Sequence, residues 1–493
     1  MNSPLKIISP LKTIMSLKII MLTTALAGTL NSTRAQSADV WLTDPGRTIF
    51  FRPQPGGLLF KKTAPNPTAH ITNPADHITN PTDPIIKIDE SQTFQSIDGF
   101  GWALTDGSAQ HIIHMSPASR AALLKDLFST DSAHIGGSYL RVSIGASDLS
   151  DHVYSYDDLP AGATDTTLIH FDLGPNCTDV IPVLKEILAI DPNMAILGSP
   201  WSPPAWMKDN HDTRGGSLLP EYYPVYARYL VKYIQSMQQA GIRIDAITVQ
   251  NEPLNPNNNP SLLMTAAEEG EFIKHHLGPA FRQAKLDTKI ILYDHNADRP
   301  DYPLSILDDA EARPFVDGSA FHLYGGKIDT LSAVHNAYPD KNLYFTEQWV
   351  GAPGNFKKDI PDHIGHLIIG ATRNWCRNVI EWNLAANSSW QPHTDRGGCD
   401  RCLGAVTIDG DRVTRNPAYY IVAHAAKFVR PGSVRIGSNT DPALPNVAFR
   451  TAAGKIVLIV LNNTKTTRPF IIDYKGLQIH SSLGPGAVAT YQW

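Results

Sequence analysis

The chain has 493 residues, which is too long for one small domain and suits a large barrel with an accessory domain. Its composition, 42% hydrophobic and 18% charged, is typical of a folded globular protein. The formal net charge of −5 and the absence of any basic run argue against nucleic acid or an anionic membrane as the main partner.

The N-terminus has the pattern of an export signal. Lys12 and Lys18 lead into an apolar run at residues 19–30 that is too short for a comfortable membrane span, and a small-x-small tripeptide ends at Ala35. We therefore expect residues 1–35 to be a signal peptide cleaved near Ala35. The mature chain should then be secreted or periplasmic, with no integral membrane segment.

The middle of the chain, residues 95–425, alternates short β-rich runs with longer helical patterns, which is typical of βα units around a parallel sheet. Eight such units predict a (β/α)₈ barrel of the α/β class. Ser116-Pro117 predicts a helix start, with a capping residue and a proline in the first turn. The predicted strands are Ile97–Leu104, Ser138–Ser143, Ala195–Ser199, Ala246–Gln250, Lys289–Asp294, Gly318–His322, Leu343–Thr346 and Val379–Asn383.

The two ends of the chain predict a second, all-β domain. Residues 36–94 are strand-like but have no partners of their own, and residues 426–493 show alternating strands separated by Gly, Pro and Asn turns. We predict that strands from both ends form one β-sandwich. The predicted C-terminal strands are Lys455–Asn462, Arg468–Tyr474, Leu477–Leu483 and Ala487–Trp493.

Two glutamates stand at ends of predicted barrel strands, where barrel enzymes carry their reactive groups. Glu252 follows the fourth strand in Gln250-Asn251-Glu252-Pro253, and Glu347 ends the seventh in Thr346-Glu347. Acetal hydrolysis needs one carboxyl group that donates a proton and a second that attacks or activates water. A lone Asn-Glu-Pro is more often a helix start, but the pair of glutamates on facing strands favours catalysis.

The residue before Glu252 and the charge of its neighbour refine this hypothesis. Asn251 could hydrogen-bond a sugar 2-hydroxyl group, an interaction that strengthens in the transition state. We also expect the negatively charged neighbour to raise the pKa of the acid, so that it is protonated near neutral pH.

Other strand ends offer sugar-binding side chains. Asp106 follows the first strand and could take two sugar hydroxyl groups, with a helix-capping role as the alternative. Trp201, held between prolines after the third strand, predicts a rigid stacking platform. Trp382 at the eighth strand is a candidate pocket wall.

Three more candidates surround the predicted nucleophile. The sixth strand ends in His322-Leu323-Tyr324. We expect His322 to be a substrate-binding residue. Tyr324 could hydrogen-bond Glu347, with a position in the core as the alternative. Arg141 on the second strand could hold the Glu347 carboxylate or serve as a structural barrel arginine.

The sequence lacks the common motifs of metalloproteases, nucleotide-binding proteins and serine hydrolases. It contains no HExxH, Walker or GxGxxG motif and no GxSxG elbow. Cys399-x-x-Cys402 is half of a zinc pattern without a second pair. A local disulfide is the favoured interpretation, with a metal ligand pair as the alternative.

These motifs together resemble glycoside hydrolase family 30 from about Asp39 to Trp493. The resemblance rests on six motifs: Gly99-Phe-Gly-Trp-Ala-Leu-Thr-Asp106, Arg141-Val-Ser-Ile-Gly-Ala-Ser-Asp148, Ser199-Pro-Trp-Ser-Pro-Pro-Ala-Trp-Met-Lys208, Gln250-Asn-Glu-Pro253, Thr346-Glu347 and Trp382-Asn-Leu384. It implies a barrel with a β-sandwich, Glu252 as acid/base and Glu347 as nucleophile. It maps the family's sugar contacts to Asp106, Trp201, Asn251 and Trp382, and it implies no metal and no cofactor.

The resemblance leaves the substrate open. Leu323, the Gln348-Trp349 pair and residues 397–404 depart from the glucosylceramidase-type members, and residues 397–404 are similar to microbial members that include endo-β-1,6-glucanases. The expected function is a retaining β-glucosyl hydrolase of the glucosylceramidase type, acting on a glycan or glycolipid. The alternatives are an endo-β-1,6-glucanase, an enzyme for another β-glycan, and an inactive carbohydrate-binding protein.

Overall fold

The structure is a computed structural model that describes residues 36–62 and 83–493. The expected signal peptide and its cleavage site lie outside these residues. Residues Ser37–Trp493 cluster into one unit that contains both a barrel and a β-sheet domain. In the described ranges, no helix has the length and apolar character needed to cross a membrane.

Eight parallel strands close into a barrel, which confirms the predicted fold class. The seventh and eighth strands pair with each other and the eighth pairs with the first, so the parallel sheet has no open edge. Their bounds are Gly99–Ala103, Tyr139–Ile144, Ala195–Pro200, Ala246–Thr248, Lys289–Asn296, Val316–His322, Asn342–Glu347 and Cys376–Glu381. Large side chains such as Tyr139, Leu197 and Tyr344 fill the interior, so the barrel is a packed core.

Helices follow the strands around the outside of the barrel. Ser116 caps the predicted helix that begins at Pro117, and its side chain accepts from the Ser119 amide. The helical segments are Asp106–Ile113, Pro117–Phe128, Val180–Ile190, Tyr223–Gln239, Ala266–Phe272, Ile273–Leu277, Gly278–Ala284, Asp301–Asp308, Leu331–Ala337, Phe356–His363, Ile364–Ala371 and Pro417–Ala426.

The β-sandwich is an 11-stranded sheet built from both ends of the chain, as predicted. Its strands are Ser37–Asp44, Ile49–Pro53, Leu58–Leu59, Lys61–Lys62, Ile85–Ser96, Val434–Ser438, Asn446–Arg450, Ile456–Leu461, Arg468–Tyr474, Leu477–Leu483 and Val488–Gln492. The first strand pairs antiparallel with the last, from Asp39 opposite Gln492 to Thr43 opposite Val488. The sequence did not predict Val434–Ser438 or Asn446–Arg450.

Buried contacts join the sandwich to the last barrel helix. His424 on that helix shares hydrogen bonds with Thr490 Oγ1 at 2.9 Å and Thr43 Oγ1 at 2.7 Å, so it contacts strands from both chain ends. Burial lowers the pKa of His424 to about 3, which keeps the ring neutral. The sandwich therefore supports the barrel from the side of its last helix.

Candidate active site

The two predicted catalytic glutamates meet at the carboxyl ends of the barrel strands. Glu252 lies just after the fourth strand, Ala246–Thr248, and Glu347 is the last residue of the seventh. One carboxylate oxygen from each lies within 4.8 Å of the other. Retaining glycosidases hold their carboxyl groups about 5–5.5 Å apart, whereas inverting ones need room for a water molecule between them. The spacing supports direct attack by one of the two carboxylates.

A cavity of about 640 Å³ opens above this pair. Four of the predicted site residues line it: Glu252, Glu347, Tyr324 and Trp382. Arg141, Trp201, Asn251, His322 and Asp106 are buried and lie outside its lining. The other lining residues are Asp148, Leu254, Asn255, Asn258, Tyr293, His295, Asn296, Asp298, Arg299, Trp349, Cys399 and Cys402.

Arg141 binds the carboxylate of Glu347, which is one of the two roles predicted for this arginine. Its Nη1 donates to Glu347 Oε2 at 2.5 Å. Its Nη2 donates to Asn251 Oδ1 and to Asp294 Oδ2, each at 2.7 Å, and its Nε donates to Ser199 Oγ at 3.0 Å. The guanidinium is fully buried, so water does not screen its attraction to the carboxylates of Asp294 and Glu347.

Asp294, at the end of the fifth strand, is a central residue that the sequence analysis did not single out. Its Oδ2 accepts from Arg141 and Thr248 Oγ1, each at 2.7 Å. Its Oδ1 accepts from Thr346 Oγ1 at 2.6 Å and faces His322 Nε2 at 3.1 Å. Burial would raise the pKa of Asp294, but Arg141 and His322 hold it far below the usual range. Asp294 is therefore a permanent buried anion that fixes both of these cationic groups.

Glu252 is held by two side chains on either side of its carboxylate. Asn255 Nδ2 donates to Oε2 at 2.7 Å, and His322 Nδ1 lies 3.1 Å from Oε1. Burial would raise the pKa of Glu252, but the contact with His322 outweighs it and lowers that pKa below its ordinary value. This differs from the expectation of a raised pKa, because the sequence did not reveal a histidine cation beside the carboxylate.

The imidazole of His322 is protonated, and therefore positively charged, in the free protein. Burial opposes its charge, but Glu347, Asp294 and Glu252 raise its pKa to about 9. Its Nδ1 is also 3.8 Å from Glu347 Oε1. The ring therefore lies between the carboxylates of Glu252 and Glu347 and contacts Glu252 directly.

Glu347 receives two donors. Besides Arg141, Tyr324 Oη donates to Glu347 Oε1 at 2.9 Å, which confirms the predicted contact of this tyrosine. Burial is the largest influence on Glu347 and raises its pKa, while His322 and Arg141 oppose that rise. Both oxygens of Glu347 are thus oriented by donors, as a nucleophile in one fixed geometry requires.

The two predicted tryptophans form one aromatic surface beside the carboxylates. The rings of Trp201 and Trp382 stack with their centroids 5.3 Å apart. Arg141 lies over the Trp201 ring at 4.9 Å, so this surface is fixed to the same network that holds Glu347. Trp201 Nε1 is buried without a hydrogen-bond partner among the residues described. Such an unpaired donor is costly unless a ligand completes it.

Asp106 is buried next to the first barrel strand and is not part of the cavity lining. It is only 2% exposed and begins the first helix after the barrel entrance, where Thr105 takes the capping position. Ser150 Oγ donates to Asp106 Oδ1 at 2.6 Å, while Oδ2 has no partner within the described part of the chain. Burial raises the pKa of Asp106 to about 7.

Asp148, after the second strand, lines the cavity. Its side chain is nearly buried, and burial together with Glu347 and Glu252 raises its pKa to about 8. Within residues 36–62 and 83–493, the structure shows no hydrogen bond from another side chain to this carboxyl group. The sequence contained a signal, since Asp148 ends one of the six motifs, but nothing local showed that it reaches further than Asp106.

The same cluster has the donor set for a cation. One atom each from Glu252, His322 and Glu347 could contact a single ion. However, Arg141 already places a positive charge on Glu347, and His322 Nδ1 faces the Glu252 oxygen. The arrangement is therefore better suited to moving a proton between side chains.

Cys399 and Cys402 form a disulfide at the cavity wall, which confirms the favoured interpretation of this pair. Cys376 is a buried free thiol and Cys177 an exposed one.

Comparisons with known proteins agree on one enzyme family. Residues 97–429 match the family model described as glycosyl hydrolase family 30 TIM-barrel domain, and residues 432–491 match its β-sandwich domain. The endo-1,6-β-D-glucanase of Neurospora crassa is 40% identical over 79% of this chain and 83% of its own length. The mouse lysosomal acid glucosylceramidase is 29% identical over 83% of each chain.

A solved structure supports the same grouping. The endo-β1,6-glucanase BT3312 superposes with a TM-score of 0.82 at 32% identity, over 93% of this chain and 99% of that one. The similarity therefore extends over barrel and sandwich together.

Proposed function

Because the chain belongs to glycosyl hydrolase family 30, we propose that Glu252 and Glu347 cleave a β-glucosidic bond with retention, and that the substrate is a β-1,6-glucan. The main support for this mechanism is the short distance between the two residues: one carboxylate oxygen of Glu252 lies within 4.8 Å of one of Glu347. That distance suits double displacement.

In the first step Glu347 acts as the nucleophile. An oxygen of its carboxylate forms an ester bond to the anomeric carbon while the bond from that carbon to the leaving oxygen breaks. Glu252 gives its proton to the leaving oxygen. In the second step Glu252 takes a proton from water, whose oxygen replaces the ester oxygen and releases Glu347.

The proton for the first step is shared between Glu252 and His322. His322 donates its Nε2 hydrogen to Asp294 and its Nδ1 hydrogen to Glu252 in the free protein. Transfer of the second hydrogen across the 3.1 Å contact gives a neutral imidazole and a protonated Glu252. The imidazole still donates to Asp294, so the transfer leaves no buried group unpaired.

Several polar groups at the site lack a hydrogen-bond partner that the sugar could supply. Asp148 faces the cavity, and Trp201 Nε1 and Asp106 Oδ2 lie unpaired in the buried layer beside it. Asn251 Oδ1 accepts from Arg141, so its amide nitrogen can donate to the sugar 2-hydroxyl. We propose that a glucosyl ring stacks against Trp382 and places its hydroxyl groups on these atoms.

The glucan assignment is supported by the relatives. The relative named as an endo-1,6-β-D-glucanase is 40% identical, against 29% for the glucosylceramidase. Glucosylceramide is the second candidate, since the same chemistry serves both substrates. The test is product analysis after separate incubation with linear β-1,6-glucan and with glucosylceramide. A ladder of gluco-oligosaccharides from the polymer is the expected result, and glucose with ceramide from the lipid alone would overturn the glucan assignment.

We also propose that the protein is exported. The apolar run at residues 19–30 and the Cys399–Cys402 disulfide support this, because disulfides persist in oxidising compartments. N-terminal sequencing of the protein recovered outside the cell should begin near Gln36; recovery only from the cytoplasm would contradict export.

A further inference from the structure

The loop that contains the disulfide connects the surroundings of the two catalytic residues. At one end, Cys402–Leu403 pairs antiparallel with Val350–Gly351, three residues after Glu347. Next to this pairing, the amide of Ala352 donates to the Arg401 carbonyl at 2.8 Å. The segment that follows the nucleophile is therefore held by the disulfide loop.

The other end of the loop packs on the segment that follows Glu252. Asn259 Nδ2 donates to Asp395 Oδ1 at 2.9 Å. Gly397 lies so close to this segment that a Cβ atom there would meet the Asn257 carbonyl oxygen at 2.3 Å. The loop thus spans the rim of the cavity from the acid/base side to the nucleophile side.

Trp349 is the large aromatic residue on this rim. It lines the cavity with both cysteines and packs against the cluster that contains Trp382 and Cys402. Trp349 and Trp382 form a parallel backbone bridge, and the amide of Trp382 donates to the Gln348 carbonyl at 2.8 Å. The indole is therefore fixed on two sides, by the disulfide loop and by the end of the eighth strand.

We propose that Trp349 and the loop closed by Cys399–Cys402 form a second sugar subsite, which binds the pyranose ring on the leaving-group side of the scissile bond. This inference rests on the proposed function. The leaving oxygen takes its proton from Glu252, so the leaving ring must lie beside the segment that follows Glu252. Leu254, Asn255 and Asn258 of that segment line the cavity together with Trp349.

The chemistry of this wall suits a second sugar ring. The indole offers a flat apolar surface for one face of a pyranose. The amide of Asn258 offers hydrogen bonds for its hydroxyl groups. The disulfide holds the wall in place by linking two ends of a short loop, so its loss should loosen the subsite without touching the residues that break the bond.

Transfer to a sugar acceptor tests the subsite directly. β-Glucosyl fluoride forms the glycosyl-enzyme with a leaving group of one atom, which reaches no second subsite. A β-1,6-linked glucose disaccharide, added as acceptor, then competes with water for this intermediate. We expect the wild type to form a trisaccharide, and the ratio of transfer to hydrolysis to fall about tenfold in Trp349→Ala. Trp349→Phe should keep most of the transfer.

The disulfide arm uses a matched control. The double variant Cys399→Ser with Cys402→Ser should show a lower transfer ratio, whereas Cys177→Ser, at an exposed free cysteine, should match the wild type. An unchanged ratio in Trp349→Ala, or no transfer by the wild type at high acceptor concentration, would overturn the subsite. Failure of the wild type to hydrolyse the fluoride would instead refute the proposed function.

Discussion

Glu252 and Glu347 are chemically identical side chains, and their different hydrogen-bond partners support the different tasks proposed for them. Arg141 and Tyr324 donate to both oxygens of Glu347, which suits a carboxylate that must attack in one direction. Asn255 and His322 flank Glu252, and His322 can exchange a proton with it. The proposed division into nucleophile and acid/base therefore rests on hydrogen-bond donors rather than on the strands that carry the two residues.

The acid/base role predicts a dependence on the leaving group. In Glu252→Ala the glycosyl-enzyme still forms from substrates with good leaving groups, because these need little protonation. We expect kcat/KM to fall at least about 100-fold for a glucan and much less for a dinitrophenyl glucoside. Azide should partly restore turnover and yield a β-glucosyl azide, as measured by NMR. Equal losses on both substrates, with no azide product, would remove Glu252 from this role.

The shared proton predicts a pH dependence. The pKa of His322 is raised to about 9, so the proton is held below that pH and lost above it. The alkaline limb of kcat/KM reports the free enzyme and should reflect this loss. In His322→Gln the proton resides on Glu252 alone, and we expect the limb to move to lower pH together with a reduced kcat. A limb at the same pH in both proteins would show that another group sets it.

The sequence predicted the residues that meet at the mouth of the barrel better than those behind them. Glu252, Glu347 and Tyr324 were identified because strand ends in a barrel converge at one mouth. Asp294 also ends a strand, but its importance depends on Arg141 and His322, which come from two other strands. Likewise, only the folded chain shows that Asp148 lines the cavity while Asp106 lies behind it.

Among the elements, the disulfide loop depends on close backbone contact at Gly397. This glycine has φ +143°, and its position leaves no room for a side chain beside Asn257. Gly397→Ala should push the loop away from the segment that follows Glu252. We expect kcat/KM on the glucan to fall about tenfold, by loss of the productive geometry.

Gly410→Ala is the control for this substitution. Gly410 also has a positive φ, +62°, but no atom lies within 4 Å of a Cβ placed there. Its variant should lose about 1 kcal/mol of stability from backbone strain and retain its kinetics. Similar kinetic losses in both variants would show that strain, and not loop contact, is responsible.

At the same scale, local pattern predicted the barrel strands and the last four sandwich strands but missed two others. Val434–Ser438 and Asn446–Arg450 are short and carry polar residues. The first of them pairs with Ile85–Ser96, from the other end of the chain. It also pairs with Asn446–Arg450 in a short hairpin, but its partner on the other side lies more than 300 residues away, outside any window of local sequence.

For the whole molecule, the last barrel helix and the sandwich should unfold together because buried hydrogen bonds connect them. Thr43 Oγ1 accepts from the Phe51 amide at 2.9 Å and contacts His424 Nε2 at 2.7 Å. Thr43→Val removes both, which should lower the free energy of unfolding by about 1–3 kcal/mol in urea titration. Thr414→Val, at an exposed strand position, should change it by less than about 0.5 kcal/mol. Equal effects would mean that the interface does not depend on these bonds.

The central claim is that two carboxylates within 4.8 Å of each other hydrolyse a β-glucosidic bond by double displacement. The most direct test is NMR of the anomeric proton in the first products released from linear β-1,6-glucan by the wild-type protein. The account predicts that the β-anomer appears first and then mutarotates toward equilibrium. Initial appearance of the α-anomer would show a single displacement and contradict the assignment of Glu347 as nucleophile.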